Sequence, residues 1–376
     1  MSAIAARQGA AGGSAWRPLA TAVGWLVLAA GLLALPHLLS ISQRELAVLL
    51  LVNILLVASY RLITLTGEWS LGHVVMMGVG GYGSALLASL LGLPVVLAMA
   101  GGAAVTGLVA WLLSFPLFRM KGFYFLIGSF AAAEVIRLCW KKFTVPFGGP
   151  KGLTQVPALP DLHLGGLADW LSLRLGEPGA GGQTGDYFLG LMPVHEDLLI
   201  RFSKPLFTAN YYYFCLVVVA ASLWLLWRVE RSRIGMTFHA IHWQDSLAAS
   251  VGVDTRRYRT LALVIGSAFA GLAGALMAHG VGSVSPNRFD VAQMVYVLIW
   301  VIVGGTATFA GPIVGVIALT ILNEVVLREL DVEALRPAFY GGILILSVLF
   351  LPRGLEGAWT WRRRGKGKTA AEQSRH

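Results

Sequence analysis

Residues Val229 to Arg259 read VERSRIGMTFHAIHWQDSLAASVGVDTRRYR, a polar and basic interruption between two long apolar runs. Two helices that merely turn back on each other need a connection of about 2–8 residues. This segment has room for a short helix of its own. Ala248 and Ala249 favour helix, and Gly252 is placed to end it. If the flanking runs cross a membrane, that helix lies outside the bilayer, where it is a candidate for docking a partner protein.

Composition supports that premise. Apolar residues make up 56% of the 376-residue chain and charged residues 13%. Apolar runs of about 17–25 residues recur, the length that crosses a hydrocarbon core of about 30 Å. The expected class is an all-α, polytopic membrane protein. A net charge of +10 would suggest nucleic acid in a soluble protein. Here the Lys and Arg residues gather in short loops and in the tail, so the positive-inside rule accounts for them, and no nucleic-acid partner is expected. Cys139 and Cys215 both fall in apolar runs and read as small core residues. Arg7 and Arg17 precede the first run, which is read as a retained span.

The length criterion gives about ten spans. They lie near 19–39, 46–64, 71–91, 94–117, 122–141, 209–228, 260–281, 292–309, 312–328 and 338–352. With an even count, Arg7 and Arg17, Arg119 and Lys121, the arginines of the 229–259 loop and the basic tail all fall on one side, which must be the cytoplasm. Lys141 and Lys142 fall on the other side and dissent. The organisation expected is a cytoplasmic N-terminus (1–18), a permease domain (19–352) and a basic cytoplasmic tail (353–376). Within the domain, 143–208 is a Gly- and Pro-rich outer loop and 229–259 a cytoplasmic loop. The tail is placed close to anionic lipid headgroups.

Glycine is abundant, with 45 residues, and it clusters inside spans: Gly72, Gly78, Gly80, Gly81 and Gly83 in the third, Gly304, Gly305, Gly311 and Gly315 where the eighth meets the ninth. Small residues let helix backbones approach closely in lipid. The same residues can also mark broken helices beside a translocation path, in which case the third and eighth spans belong to inverted halves. Glu134 and Arg137 sit at i and i+3 on one helix face and read as a structural pair. Asn53 and His73 read as hydrogen-bonding glue between helices. No phosphate-binding loop, metal-ligand spacing, nucleophile elbow or K⁺-filter sequence occurs, so neither ATP hydrolysis by this chain nor an intramembrane enzyme is expected.

An ordered set of motifs resembles the LivM-type permease subunits of bacterial branched-chain amino acid ABC importers, from about Leu46 to Gly357. It comprises Gly67-Glu68-Trp69-Ser70-Leu71-Gly72-His73 with Gly78 to Tyr82, Lys121 to Phe125 with Glu134 to Leu138, and Gly148-Gly149-Pro150-Lys151-Gly152. It continues with Arg233-Ile234-Gly235 to Gly252, then Phe269 to Leu276, Ser285-Pro286, Gly304-Gly305, Gly311-Pro312 and Phe350 to Leu355.

The resemblance implies a second, LivH-type permease, two cytoplasmic ATPases and a periplasmic substrate-binding protein as partners. ATP is then bound by the ATPases and no cofactor by this chain. It implies ATPase coupling through Ala240, Ile241, Asp245, Ala248, Ala249 and Gly252. It implies a translocation path near Ser70, His73, Met76, Met77, Gly80, Gly304 and Gly305. The chain departs from the family at His242, Trp243 and Gln244, where the family carries an Arg and acids, and at Met76 and Met77, where it carries aromatics. Branched-chain or related amino acids are the implied cargo, with urea, short amides or small aromatic acids as alternatives. An ion-coupled transporter or channel is the rival class, and no acid relay supports it.

Overall fold

The computed structural model describes residues 30–120, 122–157, 187–188, 192–193, 209–323, 336–350, 354–355 and 357. The N-terminal segment 1–18, most of the first span, most of the 143–208 loop beyond residue 157 and the basic tail lie outside the described residues. Helical residues 30–38 lead into α1 (Ile41–Thr64), α2 (His73–Leu91), α3 (Val95–Leu117) and α4 (Phe123–Lys142). After the loop come α5 (Ala209–Glu230), α6 (Arg233–Trp243), α7 (Asp245–Ser250) and α8 (Thr255–Val281). The chain continues with α9 (Val291–Gly304), α10 (Gly311–Leu322) and α11 (Arg336–Phe350). Helix is the dictated choice, because every backbone N–H and C=O at membrane depth must bond within its own segment.

Six of these helices, α1 to α5 and α8, are long and apolar enough to cross a membrane. α9, α10 and α11 are shorter. At 1.5 Å per residue the 14 residues of α9 reach only about 21 Å. Residues 283–290 enter the bundle as irregular backbone, with strand β4 (Ser283–Val284) pairing antiparallel to β1 (Leu153–Thr154) and a 3₁₀ turn at Pro286–Phe289. Phe289 is buried there against Trp140. Irregular backbone at depth is tolerated where protein covers it. Of the outer loop beyond residue 157, the described part is a small hairpin, β2 (Tyr187–Phe188) with β3 (Met192–Pro193).

α8 forms the centre and packs on α1, α2 and α3. The α2, α3 and α8 backbones nearly touch. A Cβ on Gly274 would lie 1.8 Å from the Met77 carbonyl oxygen, one on Gly80 2.2 Å from the Gly271 Cα, and one on Gly102 2.6 Å from the Gly80 carbonyl oxygen. Of the two readings of the third span's glycines, close packing therefore holds and the broken helix does not. α2 runs unbroken from His73 to Leu91, and its glycines serve close packing. Gly274→Ala is expected to abolish the folded, monodisperse protein in detergent. Gly341→Ala, at a site with nothing within 4 Å of the added carbon, should purify like the parent.

The halves are inverted. α8, the first helix of the second half, packs on α2 and α3 of the first half. α1, the first helix of the first half, packs on α9 and α10 of the second. α1 ends, and α8 begins, at the end of the bundle that carries α6 and α7, so the two run in opposite senses, as inverted repeats require. That end, the loop end, also carries the α1–α2, α3–α4 and α9–α10 turns. Arg256 there donates to the Phe115 carbonyl at 3.3 Å, and Gly354 lies against Gly305. Lys141 and Lys142 occupy the last turn of α4 at the far end, where the helix dipole favours cations.

Candidate functional site

The 229–259 segment folds into two helices rather than the single one expected. Ser232 caps α6, its hydroxyl accepting from the Gly235 N–H at 3.5 Å. A Cβ on Gly235 would sit 2.0 Å from the Glu230 carbonyl oxygen, so glycine lets α6 fold sharply back on α5. The chain becomes extended at Gln244 (φ −159°, ψ 94°) and re-enters helix at Asp245. Gly252 takes φ +88°, the left-handed region that ends α7, and Asp254 caps α8 by accepting from the Arg257 N–H at 3.1 Å.

Both ends of this loop are clamped to the bundle by arginine. Arg61, in the last turn of α1 and 1% exposed, holds Glu230 bidentately, with Nη2 2.7 Å from Oε1 and Nε 2.9 Å from Oε2. Its Nη1 donates to the Thr306 carbonyl at 2.7 Å. One guanidinium thus joins α1, the start of the loop and the α9–α10 turn. At the other end Arg259 Nη1 lies 3.3 Å from Glu68 Oε1 in the α1–α2 turn, and Nη2 lies 3.5 Å from Asp245 Oδ2. Arginine suits this role because its planar fork stays charged and matches carboxylates in pairs.

The residues expected to couple to a partner divide between two faces. Ile241 and Ala248 are buried, as is Phe238, and Asp245 is held by Arg259. Ala240, Ala249 and Gly252 are exposed. Large apolar side chains of the loop are exposed, Trp243 at 82%, Leu247 at 59% and Val251 at 73%, with Met236 nearby in sequence, among the exposed polar residues His242, Gln244, Ser246 and Ser250. The departure at Trp243 thus places a large ring on the surface. Gly252→Ala forces a side chain into a left-handed turn at a site without steric crowding. It is expected to lower the melting temperature only slightly, since the strain is confined to the turn that aims α7.

The expected path residues also divide. Ser70, Met76, Ser129 and Ser267 line a cavity of about 20 Å³ between α2, α3, α4 and α8, room for about one water. His73 is used elsewhere. Ser59 Oγ donates to the Leu56 carbonyl at 2.8 Å, so it accepts from His73 Nε2 at 2.9 Å, tying α1 to α2 as expected of glue. A second pair joins α2 to α8. His279 Nδ1 donates to the Pro157 carbonyl at 2.6 Å, which leaves Nε2 to accept from Ser84 Oγ at 2.7 Å. Met77 and Gly80 face the α8 backbone, and Gly304 and Gly305 lie in the α9–α10 hairpin, where a Cβ on Gly304 would meet the Gly311 carbonyl at 2.2 Å. The Gly72 position in Ser-Leu-Gly-His admits only hydrogen, because a Cβ there would approach the Ser129 carbonyl to 2.8 Å. Glu134 and Arg137 do pair along α4, with Nε 2.8 Å from Oε2.

Arg61, Glu230, Glu68 and Arg259 were missed as a set. The signal was present in Arg61, a permanent cation inside an apolar run, which by its cost in a membrane asks for a partner. Among the described residues no group of His, Cys, Asp and Glu could hold a metal ion.

A bundle of inverted halves with glycine-tight helices, bearing a clamped amphipathic loop outside it, defines a multi-spanning transport protein. Residues 44–348 match the profile of the family described as branched-chain amino acid transport system / permease component, and the chain belongs to that family. It is 29% identical over 334 residues to the high-affinity branched-chain amino acid transport system permease protein LivM of Escherichia coli strain K12. That match covers 89% of this chain and 73% of the relative. The LivM protein of Salmonella typhimurium is 28% identical over 86% of this chain and 72% of its own length. The corresponding LivH protein of Escherichia coli K12 is 28% identical over 142 residues, 38% of this chain and 46% of the relative. No solved structure matches the chain significantly.

Proposed function

We propose that this chain is one transmembrane subunit of an ABC importer that carries branched-chain amino acids across the bacterial inner membrane. It would pair with a LivH-type permease, whose relatives share part of this sequence. A periplasmic binding protein would deliver the cargo, and two ATPases would supply the work. The observation that carries this reading is the set of exposed apolar side chains Trp243, Leu247 and Val251, on a loop whose two ends are fixed to the bundle by Arg61 and Arg259. A face that docks an ATPase must offer apolar anchors outward to bind and be rigid inward to transmit displacement; a flexible linker would absorb it. The positive-inside rule supports a cytoplasmic side for this arginine-rich loop, where ATP is.

Proteoliposomes holding this chain with the second permease and two ATPases test the reading. Radiolabelled L-leucine should accumulate only when binding protein is outside and ATP inside. Leucine uptake by this chain alone, without nucleotide, refutes it. Competition by urea, acetamide or benzoate in place of leucine would shift the cargo to the alternatives.

A further inference from the structure

The last turns of α5 and the start of α6 carry a basic, aromatic patch that neither arginine clamp uses. Val217, Ala220, Ala221, Trp224, Leu225 and Arg228 are all exposed, and their spacing sets them along one side of α5. Trp224 is 53% and Trp227 37% exposed. The 22 residues of α5 reach about 33 Å, which matches a hydrocarbon core of about 30 Å. Trp224 and Trp227 precede its last residue, Glu230, by about 9 and 5 Å along the axis. That is the level at which headgroups meet acyl chains and where tryptophan gathers in membrane proteins.

Two guanidinium groups lie over these rings. Arg228 Cζ is 5.2 Å from the Trp224 ring centre, and Arg231 Cζ is 4.4 Å from that of Trp227. The ring quadrupole attracts the cation, which holds each arginine over its ring and leaves N–H groups to donate elsewhere. Arg233, two residues on, is exposed as well. Among the described residues none of these three arginines forms a salt bridge. From Ala220 to Gln244 the only acid is Glu230, and Arg61 holds both of its oxygens. The patch therefore joins three positive charges to an apolar stripe, with no counter-charge of its own.

We propose that this patch binds the headgroup of an anionic phospholipid. The phosphodiester accepts from the Arg228 and Arg231 guanidinium groups, whose planar forks match phosphate oxygens. The acyl chains lie along Trp224, Ala221 and Val217. A water-soluble phosphate would use the arginines and leave that stripe without a role. A zwitterionic headgroup brings its own ammonium, which opposes the arginines. Each arginine close to an anionic membrane surface raises the local population about fivefold. Arg228 and Arg231 flank Glu230, so lipid held there fixes the start of the loop at the bilayer surface. The proposal is independent of the cargo.

The test reconstitutes the full chain in vesicles of phosphatidylglycerol and phosphatidylcholine. One lipid at a time carries brominated acyl chains, which quench nearby tryptophan fluorescence. Subtracting the signal of Trp224→Phe with Trp227→Phe isolates these two rings from the remaining tryptophans. Brominated phosphatidylglycerol should quench them with an apparent affinity about fivefold above that of brominated phosphatidylcholine. Arg228→Gln with Arg231→Gln should erase the preference. Arg256→Gln with Arg257→Gln removes the same charge elsewhere on the loop and should leave the preference intact. Equal quenching by the two lipids in the parent overturns the proposal whether or not any variant folds. A preference that survives loss of Arg228 and Arg231 overturns it too. An equal fall with both arginine pairs overturns it in favour of general surface charge. Absence of quenching by either lipid overturns it and assigns this side of α5 to a neighbouring protein.

Discussion

Alanine at Arg61 is expected to separate ATP hydrolysis from uptake. The side chain is buried, and its loss leaves the Glu230 carboxylate without its bidentate partner and the Thr306 carbonyl without its donor. Breaking such a pair from one side costs about 3–5 kcal/mol, because the remaining charge stays desolvated. That energy is lost where the loop meets both α1 and the α9–α10 turn, so motion of α6 would no longer reach the hairpin. Leucine uptake should fall at least tenfold while ATPase activity persists, and the ratio of the two rates is the quantity to measure. Arg61→Lys retains charge but cannot span Glu230 and Thr306 with the same fork, and should fall between. Equal losses of uptake and hydrolysis in both variants would mean that the residue serves stability alone.

Aspartate at Trp243, Leu247 and Val251 together should release the ATPases from the complex without unfolding the chain. These side chains are largely exposed, so their replacement removes little packing within the subunit, and surface changes of this kind are usually within about 0.5 kcal/mol each. At an interface, by contrast, buried aromatic and aliphatic anchors dominate affinity, and losing one costs about 2 kcal/mol or more. Three lost anchors plus three buried carboxylates should lower ATPase co-purification by well over a hundredfold. An unchanged melting temperature with absent ATPases is the expected pair of observations. Intact stoichiometry would move the docking surface elsewhere.

Much of the fold was legible because lipid imposes it. Runs such as 46–64 and 260–281 could only be helices, and they are, within a few residues. The Glu134–Arg137 pair was legible because i and i+3 neighbours on a helix must meet. The α9 region was less so. Its apolar run continues to Phe309, yet the helix stops at Gly304, because Gly304 packs on Gly311 and Gly305 turns at φ +95°. Nor could the run show that residues 283–290 reach into the bundle, since that depends on pairing with Leu153 far away in the chain.

Sequence by itself determined that this chain is built of apolar helices of membrane-spanning length and that the Val229–Arg259 segment interrupts them as a polar, basic stretch. Each follows from local composition measured against a fixed solvent thickness. Tertiary structure alone decided which faces of that segment point inward, which glycines are contacts rather than breaks, and that Arg61 holds Glu230. Those are properties of residues far apart in the chain, 169 positions in the case of Arg61 and Glu230, brought together by packing that no local pattern encodes.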